Sequence, residues 1–295
     1  MSNAATCDDS PPPPGAVTVV CSGAEALIKQ AAASSQQSPA AFASHLTART
    51  SILAVVGSGG AACAGAMLAH ALRSFGEDVT WAPRFCSDAV PRPASRAPPR
   101  RLVLELGPAE AECALLDGLN PALLLALRVP PADVRRWARF AARLRPGGAL
   151  IVCGDDEGAA TLAAAASERS LRGARDPLGA PRALITFGTG MHNDWRATRV
   201  LLGEQSFSFD VMIRRSASSV AAARFTLPLP HQQCFATPDA QLRAALGALV
   251  AAALLDASAA HASEGGGMDC VAAAADGQAL VPAAAAVAEA MRAWA

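Results

Sequence analysis

One stretch constrains this chain more than any other: Ser51 to Phe75, SILAVVGSGGAACAGAMLAHALRSF. Ile52 to Val56 is a short apolar run rich in β-branched residues, the pattern of a strand buried on both faces. Gly57, Gly59 and Gly60 interrupt it, and Ala62 to Arg73 follows without proline, with Met67, Leu68, Ala71 and Leu72 spaced along one helical face. A strand that passes through a glycine turn into a helix points to a parallel sheet. The helix start behind such a turn attracts anions, because its first N–H groups lack partners and the helix dipole is positive there. A working P-loop adds a lysine for the β- and γ-phosphates and a Ser or Thr hydroxyl for magnesium. Here those places hold Ala61 and Ala62. Gly57, Ser58, Gly59 and Gly60 therefore read as a vestigial phosphate loop, able to bind a cofactor only through its main-chain N–H groups.

The remainder of the chain extends this theme. Strands are expected at 78–81, 101–106, 123–129, 149–153 and 183–187, with helices at 109–117, 132–144 and 159–168 between them. That alternation predicts an α/β fold with a mostly parallel, P-loop-type sheet flanked by helices. The pattern then changes to a small antiparallel section, with strands at 196–202, 206–214 and 222–227. An alanine-rich helix at 241–255 and a last helix at 282–294 complete the elements. Residues 1–48 read as a flexible tail and the remnant of an N-terminal domain, 49–258 as the central α/β domain, and 259–295 as a low-complexity tail with a terminal helix. The segment 82–100 is a long loop crowded with proline and arginine.

Composition excludes several classes of function. Hydrophobic residues make up 52% of the chain and the formal net charge is zero, which argues against wholesale disorder and against a nucleic-acid partner. Lys29 is the single lysine, so lysine chemistry has one candidate. The eight cysteines form no C-x-x-C pair and no zinc pattern, and read as reduced thiols. The N-terminus lacks the charge and apolar run of a signal peptide, and the alanine-rich runs fall short of the ~20 residues of a membrane span. No membrane span and a cytoplasmic location are expected.

Other motifs have two readings. Gly57, Gly59 and Ala62 also fit the dinucleotide fingerprint G-x-G-x-x-A, but Asp78 precedes its strand where that fingerprint wants the acid after it. Asp155-Asp156-Glu157 would suit a metal, although acids before a helix more often cap it. His192 and Asp194 form the best acid/base pair, without a nucleophile beside them, and read as exposed loop residues. Arg135, Arg136, Arg139 and Arg143 beside Trp137 make either a solvated face or a protein interface. No catalytic residue and no metal ligand set is assigned.

The succession of phrases resembles the ATP-binding central domain of the Mur ligase family, and within it the UDP-N-acetylmuramate:L-alanine ligases. Val55-Val56-Gly57-Ser58-Gly59-Gly60 stands where that family has GTHGKT, and MLAHALRSFGED follows as its helix does. Pro146-Gly147-Gly148-Ala149 to Asp156 resembles the stretch ending in N-A-D-D. Thr186-Phe187-Gly188 with Asp194-Trp195-Arg196-Ala197 resembles TFG and D-Y-R-A, and Leu227-Pro228-Leu229-Pro230 the strand before G-x-H-N. Departures fall where the family does its chemistry. Ala61 and Ala62 replace the loop lysine and threonine, and Glu105 followed by Gly107-Pro108 leaves one acid of a glutamate pair. Arg128 to Asp133 replaces N-x-x-x-D-H, and His231-Gln232-Gln233-Cys234 stands at G-x-H-N.

The resemblance, with those departures, implies a non-catalytic Mur-ligase-like protein, a pseudoenzyme serving as a structural or binding component of a larger assembly. Its expected partners are other protein chains in a hetero- or homo-oligomer, and its expected cofactor is none. The alternative is an ATP-dependent carboxylate-amine ligase with a rewired site, which would use ATP and magnesium, or a nucleotide sensor using the glycine loop.

Overall fold

The computed structural model describes residues 46–83, 100–111, 118–172, 183–203, 206–215, 218–228, 237–263 and 279–292. Lys29, most of the Pro/Arg loop and His231 to Cys234 lie outside them, as do the N-terminal tail and residues 264–278. The described elements are β1 (Ser51–Val56), α1 (Ala61–Ser74), β2 (Val79–Ala82), β3 (Arg101–Leu106), α2 (Pro108–Ala111) and β4 (Leu123–Ala126). A 3-10 turn at Pro131–Asp133 leads into α3 (Val134–Ala141), then β5 (Ala149–Cys153), α4 (Glu157–Arg172) and β6 (Ala183–Gly188). Then come β7 (Trp195–Leu202), β8 (Ser206–Arg215), β9 (Ser218–Pro228), α5 (Pro238–Ser263) and α6 (Leu280–Arg292).

The strands form one sheet in the order β2-β3-β1-β4-β5-β6-β7-β8-β9. Pairing is parallel from β2 to β7 and antiparallel across β7, β8 and β9, as the sequence pattern predicts. Parallel strands need a crossover between them, and the intervening helices cover both faces of the sheet. Alternate residues of β1 show the division. Leu53 and Val55 face a core shared with α1, α5 and α6, whereas Ile52, Ala54 and Val56 face one shared with Trp137, Phe140 and the alanines of α4. In the antiparallel section Phe207, Phe209, Val211, Ile213, Phe225 and Leu227 point into the first core. Phe209 and Phe225 stack with centroids 4.9 Å apart.

Two helices differ from the sequence expectation. α5 has 26 residues and extends well beyond 241–255 at both ends. Its 22-residue stretch Pro238–Ala259 is long and apolar enough to cross a membrane by length and composition, which a count of alanine runs overlooks. The most apolar 18-residue window of that stretch is 78% buried inside the protein, as the central helix of a sheet layer is. α6, expected at the end of a tail, packs Leu280, Ala284, Val287 and Met291 into the same core as α1, α5 and β9. The sequence signal was ambiguous because an alanine-rich helix shows little contrast between its faces.

Candidate functional site

The order of strands reverses on either side of β1: β3 lies on one flank and β4 on the other. In open α/β sheets, ligands bind at such a switch point, outside the carboxyl ends of the strands. The glycine loop leaves β1 at that place. Gly57, Gly59 and Gly60 have φ of 123°, 67° and 114°, which residues with a Cβ rarely adopt. Gly57 also abuts the chain after β4, because a Cβ there would lie 2.7 Å from the Arg128 carbonyl oxygen. The Ser58 N–H donates to that same carbonyl at 3.0 Å.

Gly60 begins α1 with no side-chain cap and no acid in the first turn, so nothing from a side chain neutralises the N–H groups of Ala61 and Ala62. A second helix start lies against the loop. A Cβ on Gly60 would meet the Ala240 carbonyl at 3.0 Å and the Ala244 methyl at 3.3 Å, both on the first turns of α5. On that first turn Gln241 is 4% exposed, and its Nε2 is buried without a hydrogen-bond partner. One turn on, Arg243 pairs with Asp239 at 2.6 Å while its buried Nε has no acceptor.

The ends of β5 and β6 form a second cluster at the same edge of the sheet. Asp156 accepts from the N–H of Ala159 and of Val129, both at 2.9 Å, so it caps α4 and ties that helix to the chain after β4. Asp155 accepts from the Thr189 N–H and hydroxyl, from the Gly190 N–H at 3.0 Å and from the Asn193 amide at 2.7 Å. Burial raises its carboxyl pKa, but these donors outweigh burial and hold it below the ordinary aspartate value. Both acids thus serve the fold, and neither is left pointing at a metal.

The pairing of His192 with Asp194 is corrected by the geometry. His192 Nε2 lies 3.1 Å from the Gly154 carbonyl and 4.0 Å from Asp155 Oδ1. Asp194 instead accepts from the Thr186 N–H and hydroxyl at 2.9 Å each and from Arg214 at 2.7 Å. It fastens β6 to β8. The arginines of α3 and of the turn after it are divided similarly: Arg136 pairs with Asp133 at 2.8 Å, and the Arg143 guanidinium lies 5.7 Å from the Phe140 ring centroid. Glu105 is buried within β3.

Cys63 and Cys153 are buried thiols outside any disulfide. Burial pushes the Cys153 thiol up to about 11, despite a hydrogen bond with the Asp155 main chain and the charge of Arg243. In the folded protein Cys153 is therefore expected to resist a thiol reagent at pH 8 and to react only on unfolding. Labelling followed by peptide mass spectrometry, with and without urea, checks this, and rapid native labelling would refute the burial.

Two curated relatives are both UDP-N-acetylmuramate–L-alanine ligases. One, from Frankia casuarinae, is 29% identical over 63% of this chain and 38% of its own length. The other, from Frankia alni, is 32% identical over 52% of this chain and 26% of its own. The protein is Mur-ligase-like. No family model matches the chain. This Mur-ligase-like chain spans well under half the length of those relatives. Solved structures share its fold at low identity. A mutant of L. casei FPGS superimposes with a TM-score of 0.54 over 92% of this chain and 67% of its own, at 11% identity. MurF ligase from Thermotoga maritima, in complex with ADP, does so with 0.50 over 74% and 49%, at 15% identity.

These findings correct the expectation that no cofactor is involved: a protein of this fold carries ADP. The main-chain geometry of Gly57 to Gly60 fits a phosphate, since uncapped N–H groups meet left-handed glycines there. A protein ligand set for magnesium does not fit as well. Among the described residues no group of three or more His, Cys, Asp or Glu is placed to hold a metal ion, and Ala62 has no hydroxyl.

Arg243, Gln241 and Asn193 belong to this edge of the sheet and were missed in the sequence, whereas Arg128 was noted there only as the start of the segment at N-x-x-x-D-H. The three that were missed are distant in the chain from Gly57 or Asp155, and no local motif announces them.

Proposed function

We propose that this chain is the nucleotide-binding module of an ATP-dependent carboxylate-amine ligase with a rewired phosphate site, working in the cytoplasm. The observation that carries this reading is the glycine loop at the sheet's switch point, flanked by the starts of α1 and α5. The names of the Frankia relatives and the ADP in MurF support it. ATP supplies such a ligase with a phosphoryl group that activates a carboxylate. This chain's own part is to hold phosphate oxygens by the main-chain N–H groups behind Gly60.

A second reading, a non-catalytic nucleotide-responsive component of a protein assembly, is favoured by one observation: Ala61 and Ala62 stand at the places of the P-loop lysine and hydroxyl. Hydrolysis decides between the two. ADP is expected to bind in the micromolar range by calorimetry, and Gly59→Val to abolish binding. A Cβ at Gly59 has room, lying 4.0 Å from the Ala240 methyl, but its φ of 67° is strained for a β-branched residue. Circular dichroism must therefore show the variant folded. Magnesium-dependent ATP turnover would support the ligase; binding without turnover, even with candidate carboxylates and amines added, would support the second reading. No binding by the wild type would remove both.

A further inference from the structure

The loop needs positive charge to hold a polyphosphate tightly, and its own sequence supplies none between Gly57 and Ala62. The fold brings two arginines to its flanks. Arg128 follows β4, and its main chain contacts Gly57 and accepts the hydrogen bond from Ser58. Its side chain is exposed. Arg243 lies on α5 three residues after Ala240, close to one helical turn on from the carbonyl that a Cβ on Gly60 would meet. It is also within electrostatic reach of the Cys153 thiol at the end of β5, which places it over the carboxyl edge of the sheet.

Arg243 is held without being used up. Its side chain is 18% exposed, and its ion-pair partner is Asp239, whose side chain is 67% exposed. An i,i+4 pair whose acid is this open to water holds Arg243 only weakly. A guanidinium has five N–H donors, and the buried Nε of Arg243 has no acceptor. A nearly buried arginine with an unsatisfied donor, beside two helix starts, is arranged for an anion.

We propose that Arg243, with Arg128 on the other flank of the glycine loop, supplies the phosphates of a nucleoside diphosphate or triphosphate with the charge that a loop lysine would otherwise bring. This rests on the nucleotide reading above and names the side chains that make the site work. Asp239 acts as a competitor: it holds Arg243 when the loop is empty and gives up its share when a phosphate arrives.

The test titrates wild type, Arg243→Gln, Arg128→Gln and Asp239→Asn with ADP by calorimetry, with and without magnesium, after circular dichroism has shown each folded. Inorganic pyrophosphate serves as competitor, because the arginines recognise phosphate and not the base. Arg243→Gln is expected to weaken ADP binding by about tenfold or more, the loss of one charge-assisted contact. Arg128→Gln is expected to weaken it by about threefold, as a more exposed charge should. Asp239→Asn is expected to tighten it by about twofold, because Arg243 is then released. A purely structural role for Arg243 predicts no such tightening. If Arg243→Gln fails to fold, Asp239→Asn decides alone. Wild-type binding that none of the variants changes overturns the arginine clamp and leaves the loop reading in place. A wild type that binds no ADP overturns both.

Discussion

Gly158→Ala is expected to destabilise the protein by about 3 kcal/mol or more and to abolish binding at the glycine loop, although residue 158 is not part of that loop. Gly158 lies in the first turn of α4, pressed onto the chain after β4. A Cβ built there falls far inside the Val129 carbonyl oxygen and 2.8 Å from its carbonyl carbon. The obstacle is main chain, so no rotamer change relieves it. The contact is also held from both sides, since Asp156 binds the N–H of Val129 and caps α4 through Ala159. Relief requires α4 to back away from β4. Arg128, next to Val129, carries the carbonyl that fixes Ser58, so the displacement passes directly to the loop. Urea melts should show a lower midpoint with an unchanged slope, and calorimetry should show lost ADP binding in whatever fraction remains folded. Wild-type stability in the variant would mean that the α4 start is not seated as described.

Which parts of this arrangement were legible in the sequence follows from how far apart the interacting residues are. β1, the glycine loop and α1 are contiguous, and their signals of apolar run, glycine and helical spacing are local. The shift to antiparallel pairing was legible too, because Phe207, Phe209 and Val211 alternate with Ser206, Ser208 and Asp210 as a half-buried strand must. The partner of His192 was not. Asp194 is its neighbour in sequence, but the chain turns there so that Asp194 binds Thr186 and Arg214, while His192 meets residues 154 and 155 from another loop. Arg243 was overlooked for the same reason, and Arg128, noted only as the start of a departed motif, gained its place beside Gly57 from the sheet. The central place of α5 was obscured by alanine, whose small side chain gives a buried helix no apolar stripe; α6 does carry one, in Leu280, Ala284, Val287 and Met291, but its position after a low-complexity segment made it read as the end of a tail.

The Asp155 carboxylate leads to the remaining large effect. It gathers two N–H groups, a hydroxyl and an amide from residues 189–193, and so fixes the loop between β6 and β7 onto the end of β5. Asp155→Ala leaves those donors without an acceptor, and Asn193 is only 2% exposed, so water cannot replace the carboxylate fully. A cost of about 2–4 kcal/mol is expected, from several charge-assisted bonds shared by one carboxylate. Asp155→Asn should also be destabilising, because an amide NH2 would then face N–H donors. The acid dependence has a definite sign. The folded-state carboxyl titrates below its ordinary value of 3.8, so its contribution is complete above that value and is lost as pH falls through the folded-state pKa. Wild type and Asp155→Ala should therefore differ most near neutral pH and converge in strong acid. Urea midpoints of both proteins from about pH 7 down to about pH 1.5, with closely spaced points below 3.8, measure this. A gap that stays constant over that range would show that the carboxylate's charge is not what holds the loop.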